Sequence, residues 1–180
     1  MDNIIDSVRA VLSITPNRWN DLMSKVPAEL LSRCPLPGEW SAVECLKHLI
    51  DGEMHVYPVR LRAFMAGENI TDYDQDKASR DWLRQSPKQL AARFSRLRAA
   101  NLKLLDTISA ADLGRSSIHS ALGRVTLGDI LHQWAAHDFM HLVQAERALM
   151  QPFIGGSGSW RAYFADHDVE GVKQRSNKGK

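Results

Sequence analysis

The sequence is poor in cysteine: Cys34 and Cys45 are the only two in 180 residues. Two are too few for a disulfide framework in a chain of this length, so the default expectation is a reduced, cytoplasmic protein. No apolar run approaches the roughly 20 residues of a membrane span, and no membrane partner is expected. The opening MDNIIDSVRA has neither the basic start nor the apolar core of a signal peptide. A strong excess of one charge is missing as well. The net charge is +2, and four of the 23 basic residues (Lys173, Arg175, Lys178 and Lys180) fall in the last ten positions, leaving 19 basic against 21 acidic residues elsewhere. Neutralising many phosphates takes a basic face rather than a basic tail, so nucleic acid is not an expected partner. Alternating strand patterns are absent too, which leaves helices to carry the fold.

At 44% hydrophobic and 24% charged residues, the chain is long enough to bury one substantial core. Residues 1–165 are expected to form a single domain, and residues 166–180 a disordered basic tail. The stretch DNIIDSVRAVLSI has helical apolar spacing, and Thr15-Pro16 then resembles an N-cap followed by proline at the first helical position. A broken first helix is the expectation. After a connection with three prolines, Ser41 and Glu44 form a capping-box pattern that opens a second helix towards Phe64, which Pro58 is expected to kink or loosen. Residues 67–85 read as a long surface loop, a class that is often functional. Ser86-Pro87 opens a third helix to about Ile108, with Leu90, Phe94, Leu97, Leu104 and Leu105 on its buried side. Thr126 and Asp129 cap a fourth helix to about Met150, GGSGSW reads as a flexible turn, and WRAYFADH as a segment that packs back on the bundle. Four long amphipathic segments indicate an all-α four-helix bundle.

The chemistry concentrates in HDFMH, residues 137–141. Positions i and i+4 share a helix face, so His137 and His141 can point at one object, either a metal ion or merely a carbonyl or water. At about 100° per residue, Ile130, Trp134, His141, Gln144 and Ala148 all fall within about 60° of His137, so both rings lie on the apolar stripe. Burying two imidazoles there is costly unless both are hydrogen-bonded or coordinated. His132 lies off the stripe, while His119 and His167 fall in expected loops. His48, in SAVECLKHLIDGEMH, stands at the edge of the second helix's buried face and is the candidate third ligand, with a capped, partly exposed histidine as the plainer reading.

Other metal chemistries lack their residues. Paired E-x-x-H motifs of a carboxylate-bridged di-iron bundle are absent, as is the H-E-x-x-H of a helix-borne zinc protease. GGSGSW lacks the G-K-[ST] ending of a phosphate loop.

Taken together, PLPGEWSAVECLKHLIDGE and, about ninety residues later, TLGDILHQWAAHDFMHLVQAERAL resemble the DinB-like superfamily, particularly its YfiT-like metal-dependent branch. The first block matches a P-G-x-W-S entry into a helix bearing a histidine, and the second an H-D-x-x-H-x-x-Q helix. The resemblance spans roughly residues 15–150. It implies a four-helix bundle of up-down-down-up topology, and a divalent metal, zinc or nickel, held by His48, His137 and His141. It also implies a homodimer and a small-molecule substrate, with either hydrolysis or thiol S-transfer as the reaction and a low-molecular-weight thiol as possible cosubstrate. A non-catalytic metal-binding or stress-response ligand-binding protein is the alternative.

Three imidazoles leave at least one coordination position for water or substrate, the mark of a catalytic rather than a closed structural site. Around them, Asp138 reads as a contact between helices or an acceptor behind the ligands, and Gln144 as an orienting group or an ordinary interhelix bond. Glu44 reads as a proton acceptor or simply a cap, Cys45 as a soft ligand or a small core residue, and His55 as a minor pocket candidate.

Overall fold

The computed structural model describes residues 4–70 and 81–171. Its long elements are α1 (Ile4–Lys25), α3 (Ala42–Asp51) continuing into α4 (Tyr57–Ala66), α5 (Pro87–Leu105) and α6 (Leu127–Gly156), with a one-turn helix α2 (Ala28–Leu31) after the first. This is the expected all-α four-helix bundle. α1 and α3 each pack on both α5 and α6, so the first and second bundle helices lie diagonally opposite. An up-down-down-up order accords with the length of the connection between Gly67 and Ser86; residues 71–80 of that expected loop lie outside the described residues. Among the described residues, no helix is long and apolar enough to cross a membrane.

The helix starts follow local chemistry. Ser41 and Glu44, Ser86 and Gln89, and Thr126 and Asp129 all form complete capping boxes. Prolines behave differently from expectation. α1 is continuous through Pro16, although proline cannot donate to the carbonyl four residues earlier. That carbonyl, Leu12 O, instead receives Arg98 Nη1 from α5 at 2.9 Å. Thr15 is therefore not a cap; its hydroxyl donates to Asp138 on α6.

The second bundle helix is loosened ahead of Pro58 rather than kinked at it, one of the two expected outcomes. Gly52–Val56 form a π-helical turn, in which Tyr57 N–H reaches back five residues to Gly52 O. Continuing that spacing, Pro58 faces Glu53 O with no hydrogen to give, and Asn101 Nδ2 supplies one at 2.8 Å. Two side chains one turn apart on α5 thus satisfy the carbonyls orphaned by two prolines.

Two apolar clusters fill the bundle, one around Trp19, Leu46, Phe94 and Leu142, the other around Leu12, Leu61, Leu105 and Trp134. Between them lies a polar layer to which each long helix contributes: Thr15 from α1, Glu53 from the π turn, Arg98 and Asn101 from α5, and Asp138 from α6, all buried.

Other boundaries move. α5 ends at Leu105 rather than Ile108, and Leu97 and Leu104 are only half-buried while Leu90, Phe94 and Leu105 are fully covered. The connection before α6 contains an antiparallel hairpin, β1 (Ser116–His119) with β2 (Gly123–Thr126), so a little sheet is present after all. α6 runs through Pro152 to Gly156, and the GGSGSW stretch enters a 3-10 helix at Gly158–Phe164. The aromatic groups of WRAYFADH do not pack down: Trp160 and Tyr163 stay exposed. The residues after them do. Asp168 and Val169 are buried, held by Arg161 on the Asp168 carboxylate and by Val169 N–H donating to Gln151 Oε1. Packed chain thus continues past the 165/166 boundary to Gly171, because Val169 offers an apolar anchor within the polar tail; residues 172–180 lie outside the described ones.

Candidate metal centre

α3 and α6 bring three imidazoles together where they pack. His137 Nε2 stands 3.1 Å from His48 Nε2 and 3.2 Å from His141 Nε2, and the candidate donor atoms all lie within 4.8 Å of one another. Nitrogens bound at about 2.0–2.1 Å to one ion are separated by about 3.3 Å in tetrahedral and about 3.0 Å in octahedral geometry, so both short spacings suit a shared ion.

Proton positions sharpen this. His141 Nδ1 lies 2.9 Å from Gln144 Oε1, and because a carboxamide oxygen only accepts, Nδ1 carries the hydrogen and Nε2 turns its lone pair inward. One N–H on His137 Nε2 can serve only one of its two close nitrogen neighbours well, whereas one cation satisfies all three lone pairs. His137 Nδ1 is buried without a hydrogen-bond partner among the described residues. Burial, reinforced by His141, lowers the pKa of His48 to about 4. Burial, with His141 and His48, lowers that of His137 to about 3. His141 is also lowered by burial, against an upward pull from Gln144 and Asp138. All three rings are therefore neutral near pH 7, the form that ligates metals.

Trp40 covers the cluster from the residue before the Ser41 cap. Its ring stacks on His141 at 5.6 Å and 20° and lies tilted 5.0 Å from His48. On the other side, Tyr57 meets the His137 ring edge at 6.1 Å and stacks on Trp134 at 4.5 Å. Gly52 makes room for Tyr57, since a Cβ there would approach the ring to 3.2 Å.

Beneath the histidines sits the polar layer. Arg98 Nη2 bridges Asp138 Oδ1 at 2.6 Å and Glu53 Oε1 at 3.0 Å. Trp134 Nε1 also donates to Glu53 Oε1, and Asn101 Nδ2 to Glu53 Oε2. Burial disfavours the Arg98 charge, but Glu53 and Asp138 outweigh it and raise its pKa. Asp138 immediately follows His137, so this network sets the rotation and depth of α6 against α3 and α5.

A family model describing the DinB superfamily matches residues 12–145. The chain belongs to the DinB superfamily. A solved neighbour in fold is YfiT from Bacillus subtilis, described as a probable metal-dependent hydrolase with an unusual four-helix bundle topology; it is 21% identical, with a TM-score of 0.67, over 80% of this chain and 85% of that one. Among curated proteins, none matches.

Within this DinB bundle the three sequence candidates His48, His137 and His141 converge, while the neighbours sort differently. Gln144 touches His141. Asp138 touches no ring nitrogen and bonds Thr15 and Arg98. Glu44 is committed to the Ser41 N–H, the Ser41 hydroxyl and the Cys34 thiol. Cys45 is fully buried in the apolar core, where burial pushes its thiol up to about 12. His55 lies on the π turn outside the trio, and His132 is exposed. His119 is not in a loop: it is buried on β1, with Arg60 Nη2 at 3.3 Å. Sequence reasoning passed over Trp40 and Arg98. Arg98 was signalled by a charge four residues after Phe94, on the apolar side of α5; Trp40 had only its place before the cap.

Proposed function

We propose that this DinB protein is a divalent-metal-dependent enzyme acting on a small molecule, with His48, His137 and His141 as the metal ligands and zinc or nickel as the metal. The observation that carries this reading is the inward convergence of three uncharged Nε2 atoms from two helices. The description of YfiT as a probable metal-dependent hydrolase supports the same reaction class. A bound divalent ion would supply Lewis acidity and bring deprotonation of a water or thiol towards neutral pH. The chain's own residues hold and shield that centre. Gln144 fixes the His141 tautomer, Trp40 excludes water from one side, and the Arg98 network fixes the relative position of the ligand-bearing helices.

Of the two carboxylates singled out beside the trio, Glu44 serves the cap through Oε2 and Asp138 serves Arg98 and Thr15. A bound ion would supply the activation of the nucleophile, which suits both hydrolysis and transfer of a low-molecular-weight thiol. Screening metal-loaded protein against simple esters, amides and thiol acceptors tests the proposal. Turnover that disappears in His48→Ala is expected; thorough lack of turnover with retained ligand binding would favour the non-catalytic alternative. A homodimer belongs to the same proposal, with exposed Phe139 and Phe153 on α6 as the surface to vary in sedimentation experiments.

A further inference from the structure

Beside His141 lies a cleft of about 400 Å³, lined by Trp40, Met140, Val143, Gln144 and Arg147 among others. That volume is in the range of small-ligand sites, which combine apolar walls with a few polar groups. Met140 and Val143 are 54% and 59% exposed, so its walls present apolar surface to solvent. Arg147 is half-buried. Its Nε donates to His167 O at 3.2 Å, and among the described residues no carboxylate pairs with its guanidinium. Glu39, the acid on the rim, already has interactions of its own. Of the cleft's walls, Trp40 and Gln144 are also the residues in contact with the His141 ring.

We infer that this cleft binds a small organic anion with an apolar body, the body against Trp40, Met140 and Val143 and the anionic group on Arg147. The inference rests on the proposed function only in taking the cleft to serve the same site; occupancy itself requires no metal. A planar guanidinium pairs with a carboxylate or phosphate through two parallel hydrogen bonds, which a neutral group of the same shape cannot reproduce. An anion bound there lies one side chain from His141, so anion and metal affinities should be linked reciprocally.

Titration calorimetry of the full chain with 4-phenylbutyrate and with neutral 4-phenylbutanol, metal-loaded and chelated, tests this. The carboxylate should bind about tenfold tighter than the alcohol, the worth of a charge-assisted hydrogen bond. Arg147→Gln should abolish that preference, Arg147→Lys should keep most of it, and Glu39→Gln should not weaken the carboxylate. Equal affinity for the two probes in the wild type, or a loss shared equally by both probes in a normally melting Arg147→Gln, would overturn the inference. A carboxylate preference in protein that takes up no metal would support the cleft and remove the metal reading; metal uptake without the preference would do the reverse.

Discussion

Arg98 Nη1 donates to Leu12 O at 2.9 Å, the carbonyl that Pro16 leaves without a helical partner. The same guanidinium pairs with Asp138, the residue after His137, and with Glu53 on the π turn. One buried side chain thus keeps α1 intact and holds α6 in register with the helix that carries His48.

Replacing Arg98 with methionine should destabilise the fold by about 3–5 kcal/mol, because Glu53 and Asp138 would be left as buried, uncompensated carboxylates. Urea unfolding measures this. A loss under 1 kcal/mol would show that the pair is solvated.

Asn101→Ala should cost about 1–3 kcal/mol, the penalty for leaving buried acceptors on Glu53 unsatisfied. Pro58→Ala restores an N–H that can serve the same carbonyl, so the double variant should lose less than the two single losses combined. Additive losses in a double-mutant cycle would separate Asn101 from Pro58.

Purified protein should contain about one divalent transition metal per chain. His137→Ala should lose most of it in elemental analysis, whereas His132→Ala, whose side chain is exposed on the same helix, should retain it. Gln144→Leu should weaken metal affinity by about 10–100-fold, the usual effect of removing the group that orients a ligand histidine. Equal metal loss from His132→Ala and His137→Ala would contradict the observed helix phase.

The lowered histidine values set the pH response. In the metal-free protein, His48 and His137 titrate at about 4 and about 3 when folded, against about 6.5 when unfolded. The unfolded chain therefore binds more protons as pH falls below about 6.5, and metal-free stability should decline from there and level off only below the folded values. Protons compete with metal through the folded-state values, so the metal-induced rise in melting temperature should persist at pH 5.5 and fade near pH 4, and be nearly absent in His48→Ala. Thermal melts with and without zinc decide it; a metal effect that fades with a midpoint near pH 6.5 would show the rings to be solvated.

Local chemistry was legible without coordinates. Capping boxes depend on residues three apart, a proline start on adjacent residues, and apolar stripes on a period of 3.6, so Ser41 and Thr126 with their boxes and Ser86 with Pro87 marked three helix starts, and the stripe through Trp134, His137 and His141 marked a buried face. The two motif blocks pointed to the family because each is local. The prolines misled for the converse reason. Whether Pro16 breaks a helix depends on what reaches Leu12 O, and the group that does lies 86 residues away on α5. His48 meeting His137, Trp40 lying over His141, and Arg98 joining Glu53 to Asp138 are likewise contacts between distant segments. The one-dimensional pattern therefore determined which faces had to be buried. Tertiary packing alone decided which buried polar groups found partners, because a hydrogen bond or a shared ion depends on ångström-scale distances between helices that periodicity leaves free.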